Sequence, residues 1–191
     1  IDASNFERLA VAWQWKGADS PVDLGGETLP RNLPIYAKGK LITTAGPKRT
    51  VVAMDPATGK TLWTFQEPET FRRTYSPRFA HGKGVAYAEI DGRGVIYISS
   101  PGFFLWALDA DTGKPLEDWG EPIPIEGFSQ TGGVDMVADL IEGWGPWESA
   151  RRGGVQYDAY QGIPLELGYI TASSPPIVVN GTVVVGNSAE Q

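Results

Sequence analysis

The segment DADTGK, Asp109 to Lys114, spaces two carboxylates, a hydroxyl and a glycine much as a calcium loop would. An EF-hand loop places its glycine at about position 6 and a bidentate Glu at about position 12. Counted from Asp109, the glycine is Gly113 at position 5 and position 12 is Gly120, so Asp109 reads as a turn acceptor. His81 is the only histidine and cysteine is absent, which excludes a His-rich or thiolate-built metal centre and a disulfide framework. A Ser-His-Asp triad would depend on His81 alone, with no Ser-bearing elbow to serve it, and His81 reads as a loop residue. Asn180-Gly181-Thr182 matches a glycosylation acceptor, yet the same Asn-Gly pair is explained by a hairpin turn.

The elements that must carry any chemistry show themselves through repetition. VVAMDPATGKTLWTF, Val51 to Phe65, and LWALDADTGKPLEDW, Leu105 to Trp119, each run from apolar residues into Asp-x-x-Thr-Gly-Lys. Asp55, Thr58, Gly59 and Lys60 are answered by Asp109, Thr112, Gly113 and Lys114, an offset of 109 − 55 = 54 residues. A fixed period of this size marks supersecondary units that bury an apolar face only against one another. Within the unit, Asp accepts backbone N–H groups and Gly supplies a positive φ, as in a three-residue hairpin loop with a bulge.

Five short stretches fit β-strands: Leu9–Trp15, Leu33–Ala45, Gly84–Ile90, Gly94–Ser100 and Pro175–Ser188. Lys38-Gly39 and Asn180-Gly181 sit where two-residue hairpin turns belong, 180 − 38 = 142 residues apart. In the first unit Asp55 follows Pro34 by 21 residues; the same interval from Pro176 runs past Gln191. The chain is therefore expected to stop in mid-repeat and to belong to a longer protein. Between about 120 and 170 the pattern fails, which predicts a long irregular excursion with a helical turn over Val134–Ile141. Its Trp144 and Trp147 are read as covering a neighbouring blade, with a lid as the alternative.

Composition narrows the partners. The 191 residues include 24 Gly, 15 Pro and 7 Trp, enough apolar matter for a core and too many turn residues for long helices. Sixteen basic against 23 acidic residues give a net charge of −7, which argues against a general nucleic-acid or anionic-membrane role and leaves room for a local basic pocket. No apolar run approaches the ~20 residues of a membrane span. The opening IDASNFERLAVAWQWKG lacks the basic and apolar regions of a signal peptide, so an exported protein would have lost its leader.

Asp-x-x-Thr-Gly-Lys followed by Leu-Trp, Asp55 to Trp63, resembles the blade signature of the pyrroloquinoline quinone (PQQ) dependent dehydrogenases. Arg31 to Trp63, Ser76 to Pro115 and Ser173 to Gln191 are similar to consecutive amino-terminal blades of such enzymes, and AVAWQW to the early strand that completes their last blade. The resemblance implies an all-β, eight-bladed propeller of four-stranded antiparallel blades, of which residues 1–191 cover the first three to four. It implies that Trp63 docks between adjacent blades; in the second repeat Glu117 holds the matching position and Trp119 comes two residues later.

The resemblance also implies PQQ and Ca²⁺ as cofactors. A flat tricarboxylate quinone calls for cations, hydroxyl and backbone donors, a stacking wall and a metal. Carried over residue by residue, Lys83 stands where the family often has an Arg on a cofactor carboxylate, retaining the charge and losing the fork. Arg78 lies beside it, and Arg31 opens the strand before Pro34; all three also read as solvated loop cations. Ser173 and Ser174 hold a hydroxyl-bearing position before the Pro-rich strand, with turn capping as the alternative. GNSAEQ resembles the segment with a cofactor-binding Ser and a calcium-binding Glu, here Ser188 and Glu190, and an ungapped match would put Gln191 at the ligand position.

The catalytic Asp of the family falls in later blades, so no catalytic residue is assigned within this chain. The implied protein is a periplasmic PQQ- and Ca²⁺-dependent dehydrogenase of alcohols or sugars, with cytochrome c or a membrane quinone as electron acceptor. The alternative is a non-catalytic propeller of the same repeat that scaffolds protein assembly along its blade edges.

Overall fold

The computed structural model describes residues 1–15, 32–46, 48–69, 73, 84–122, 131–137, 169–171, 174–186 and 188–190. Strands β1 (Ile35–Ala37), β2 (Lys40–Ala45), β3 (Thr50–Met54) and β4 (Thr61–Phe65) form one four-stranded antiparallel sheet in chain order. Strands β5 (Ala86–Ile90), β6 (Arg93–Ser99), β7 (Phe104–Asp109) and β8 (Gly133–Asp135) repeat the arrangement. A third unit begins with the hairpin β10 (Ile177–Val179) and β11 (Thr182–Val184), beside a two-stranded ladder of β9 (Tyr169–Thr171) and β12 (Ser188–Glu190).

Turn chemistry sets this meander. Lys38 and Gly39 have φ of 47° and 73°, Asn180 and Gly181 50° and 74°, and Asp91 and Gly92 50° and 78°. Paired positive φ values match the right-handed twist of the flanking strands, so each pair closes a two-residue hairpin. The Asp91-Gly92 turn, which the sequence reading passed over, joins the two strand segments recognised separately.

Alternation along β3, β6 and β7 divides their side chains between two cores. Val51 and Ala53 of the first sheet meet Ile96, Ile98, Phe104, Trp106 and Leu108 of the second in one continuous cluster, so the two sheets stack face to face. Phe65 and Trp106 lie across this interface with ring centroids 5.3 Å apart. The far face of the second sheet, Val95, Tyr97, Leu105 and Ala107, receives Val178, Val183 and Val185 of the third unit. Sequential meanders stacked through both faces are propeller blades.

Four expectations change. Leu9–Trp15 has no strand ladder among the described residues; it lies along the first sheet, where Trp15 packs with Val52 and Met54 and donates Nε1–H to Thr61 Oγ1 at 3.1 Å. The Asp-x-x-Thr-Gly loops hold four residues between closing partners, not three: Asp55 N–H donates to the Lys60 carbonyl at 2.9 Å and Asp109 N–H to that of Lys114 at 2.8 Å. A bulge follows, since Ala53 pairs with Trp63 and Met54 with Thr61, skipping Leu62.

The excursion is not continuous, because β8 returns to the second sheet within it. The chain leaves after Leu116, whose N–H donates to Ala107, and re-enters at Gly132, whose carbonyl accepts from Ala107 N–H. Its neck is pinned by Gly132 N–H to Trp119 at 2.7 Å and Glu121 N–H to Gly133 at 3.1 Å. The start of the expected helical turn is strand instead: Val134 pairs with Leu105. Asp135 Oδ1 then accepts Val137 N–H at 3.1 Å, a local turn that diverts the backbone from a helix. Trp144 and Trp147 lie outside the described residues.

Candidate functional site

A meander has two ends. The β1–β2 and β3–β4 turns share one, and the β2–β3 turn lies at the other. At the first end each Asp-x-x-Thr-Gly loop is a docking platform. Asp55 Oδ1 accepts the N–H groups of Ala57 and Thr58 at 2.8 and 2.9 Å, and Asp109 Oδ1 those of Asp111 and Thr112 at 3.1 and 2.8 Å. These bonds, Thr58's foremost, hold the Asp55 carboxyl below its ordinary range. The glycines then present a bare surface to an indole. A Cβ on Gly59 would stand 2.5 Å from Trp13 Cε3, and one on Gly113 2.6 Å from Trp63 Cδ2. Trp13 Nε1–H donates to Pro56 at 3.0 Å and Trp63 Nε1–H to Ala110 at 3.2 Å. Trp119 behaves differently: it packs edge-on against Tyr97 of its own sheet at 5.8 Å.

At the opposite end the β2–β3 and β6–β7 turns are equivalent. Arg49 N–H donates to Gly46 at 3.2 Å and Phe103 N–H to Ser100 at 3.1 Å, and both residues are left-handed, with φ of 50° and 64°. The spacing is again 103 − 49 = 54 residues. A buried charge cluster spans these turns. Glu67, 4% exposed, accepts Gly102 N–H at 2.9 Å on Oε1 and is hydrogen-bonded by Ser100. Arg73 Nε lies 3.8 Å from the same oxygen, and Arg73 also pairs with Glu69. Arg49 donates to the Ser99 carbonyl at 3.4 Å. Burial pushes the Glu67 carboxyl up, against the opposing pull of Ser100, Gly102 and the two guanidinium groups, and pushes Arg49 down to about 10.

The third unit brings two of the predicted segments to this end. The 142-residue offset that superposes the hairpins lays Ser188 on Gly46 and Glu190 on Lys48, within the β2–β3 turn region. There β12 pairs with β9, Ser188 opposite Thr171 and Glu190 opposite Tyr169. Ser174 is half-buried, and a Cβ on Gly186 would lie 3.9 Å from its Cβ, so the SSPP and GNSAEQ segments are neighbours. Arg31, Arg78, His81, Lys83, Ser173 and Gln191 lie outside the described residues. Among the described residues no group of three or more His, Cys, Asp or Glu could hold a metal ion.

Sequence reasoning missed Arg49, Glu67 and Arg73. The nearest signal was Pro47 and Pro101, repeated at the 54-residue offset and suited to the second position of a turn. Nothing local marks Glu67 as buried, since QEPE reads as a solvated connection.

The fold and its Trp-on-Gly docking define a partial β-propeller of repeated blades. The family described as the glucose, ethanol and alcohol dehydrogenase β-propeller domain, PQQ, matches residues 1–191, and the chain belongs to it. Among solved structures, the quinohemoprotein alcohol dehydrogenase from Comamonas testosteroni is similar with a TM-score of 0.60 and 24% identity, over 99% of this chain and 20% of that one. A quinohemoprotein alcohol dehydrogenase from Pseudomonas putida matches with a TM-score of 0.52 and 24% identity, over 88% of this chain and 18% of its own. A europium-containing methanol dehydrogenase matches with a TM-score of 0.58 and 19% identity, over 99% and 24%. At these identities the likeness carries the fold, and the chain spans about a fifth of the first two structures' length. No curated protein matches the sequence.

Proposed function

We propose that this chain forms part of a PQQ-dependent dehydrogenase that oxidises an alcohol or a sugar, its cofactor lying at the β2–β3 end of the blades. Beyond family membership, the observation that carries this reading is the convergence of the third unit: β12, with Ser188 and Glu190, lies against β9, and Gly186 adjoins Ser174. A chain poor in soft donors, with no cysteine and a single histidine, offers its hydroxyl and carboxylate oxygens to a hard cation, Ca²⁺ in this reading.

In this proposal Glu190 supplies a carboxylate to the cation, while Ser173, Ser174 and Ser188 donate hydrogen bonds to the oxygens of the quinone. Lys83, with Arg78 and Arg31 nearby in role, neutralises the cofactor carboxylates. When bound, PQQ would supply the hydride acceptor for the alcohol carbon. The proton acceptor and the remaining cation ligands would come from other parts of the protein. A periplasmic location and cytochrome c or a membrane quinone as acceptor complete the proposal.

The test uses the full-length protein, PQQ and Ca²⁺, with primary alcohols and sugars. The expected result is saturable PQQ binding and Ca²⁺-dependent turnover that Glu190→Ala lowers at least tenfold while the thermal midpoint holds. Absence of PQQ binding by the wild type overturns the dehydrogenase reading in favour of a scaffold. Unchanged Ca²⁺-dependent turnover in Glu190→Ala removes that residue from the site.

A further inference from the structure

The buried cluster between the first two blades has the form of a receptor with its ligand already in place. Its parts come from three separated stretches: Arg49 from the β2–β3 turn, Ser100 and Gly102 from the β6–β7 turn, and Glu67 with Arg73 from the chain that leaves β4. The donors suit a carboxylate: a backbone N–H at 2.9 Å, a serine hydroxyl and the Arg73 guanidinium, its Nε 3.8 Å from Oε1, with the Arg49 charge close enough to act on it. Position 102 also leaves room for it, because a Cβ on Gly102 would stand 2.9 Å from Glu67 Oε2. Arg49 belongs to the same assembly from the other blade, reaching the Ser99 carbonyl from a backbone that a side chain rarely adopts.

A surface ion pair has a different form. Glu69 shows it: 62% exposed on its side chain, it joins Lys48 at 3.1 Å and Arg73, where water competes for each charge. Glu67 is closed off, so removing its charge takes away the buried carboxylate that acts on both Arg73 and Arg49.

We infer that Ser100, Gly102, Arg49 and Arg73 constitute a carboxylate receptor, that Glu67 is its resident ligand, and that this latch positions the β6–β7 turn against the first blade. The turn lies at the same end of the sheets as β12, so the latch is a positioning element for that end. The inference concerns the blade boundary alone and stands or falls independently of the quinone reading.

Chemical rescue in the full-length protein tests it. Glu67→Ala opens a carboxylate-sized space, and the expected result is a lowered thermal midpoint that sodium formate raises saturably, with no such gain from formamide or in the wild type. Equal stabilisation by formamide, or an equal formate response in the wild type, overturns the receptor. Should Glu67→Ala fail to fold, the isosteric Glu67→Gln keeps the shape and removes the charge. Hydrogen exchange of the Gly102 amide is then expected to quicken about tenfold, and an unchanged rate overturns the latch.

Discussion

Trp63 of the first blade lies across Gly113 of the second, its indole N–H on the Ala110 carbonyl at 3.2 Å. The same relation recurs one unit earlier, where Trp13 covers Gly59 and donates to Pro56. Each glycine thus serves twice: it turns the backbone through a left-handed φ of 72°, and it leaves the face on which the preceding unit's tryptophan rests.

Gly113→Ala should therefore be worse than a turn defect. The left-handed backbone alone costs about 1–2 kcal/mol with a Cβ, and the methyl group must also displace the Trp63 ring. A loss of more than about 2 kcal/mol in denaturant midpoint measurements is expected. Gly39→Ala, also left-handed but with nothing within 4 Å of the added carbon, should lose only the backbone share.

Trp63→Phe keeps an aromatic body and deletes the donor to Ala110. Its expected effect is roughly 1 kcal/mol, the usual net worth of one hydrogen bond. A smaller loss than in Gly113→Ala would follow, read in the same denaturant series.

The core boundary should behave as one cooperative unit. Trp106 is fully buried between Phe65 and Phe104, with centroids at 5.3 and 6.0 Å. Trp106→Ala is expected to remove about 3–5 kcal/mol, and hydrogen exchange should quicken together in β3 of the first blade and β6 of the second.

Acid should act through the turns. The folded state holds the Asp55 carboxyl below its ordinary value of 3.8, so its stabilising effect is full above that value and is lost as pH falls through the lower folded one. Asp55→Asn keeps an oxygen for the Ala57 and Thr58 amides and should flatten this acid-side loss, whereas Asp55→Ala should be less stable at every pH. Thermal midpoints from pH 2 to 5 separate the three proteins.

Gly120→Ala tests the neck of the excursion. The added carbon would lie 2.8 Å from the Gly133 carbonyl carbon and closer still to its oxygen, and backbone cannot swing aside as a side chain can. Faster exchange of the Glu121 and Gly132 amides is expected, with β6 and β7 protected as before.

Residues 51–65 and 105–119 showed the blade because turn chemistry is local: an Asp acceptor, a Thr and a left-handed Gly act within a few positions of one another. The return of β8 was hidden for the opposite reason. Gly133–Asp135 is too short to display alternation, and its place is fixed by Leu105 and Trp106 about 30 residues away. Leu9–Trp15 reads as a strand from its alternation and from the family's early strand, and neither supplies a ladder partner within residues 1–191. Of the candidate site, Ser174 and Ser188 announce hydroxyls in the sequence, but that Gly186 comes to adjoin Ser174 depends on the fold of the third unit. Glu67 and Arg49 gave no sign, because each is buried and bonded to the next unit's turn, at Gly102 and Ser99.

The order in which Trp63 and its platform emerge during synthesis follows from their separation. Gly113 lies 113 − 63 = 50 residues downstream, and translation at ~5–20 residues per second places it roughly 2.5–10 s behind. The first sheet, built wholly from adjacent strands, can close within that interval, while the indole has nothing to rest upon. The first blade is thus born with one aromatic ring waiting for the next blade, and a pause in translation between the two would prolong the time that ring stays in water.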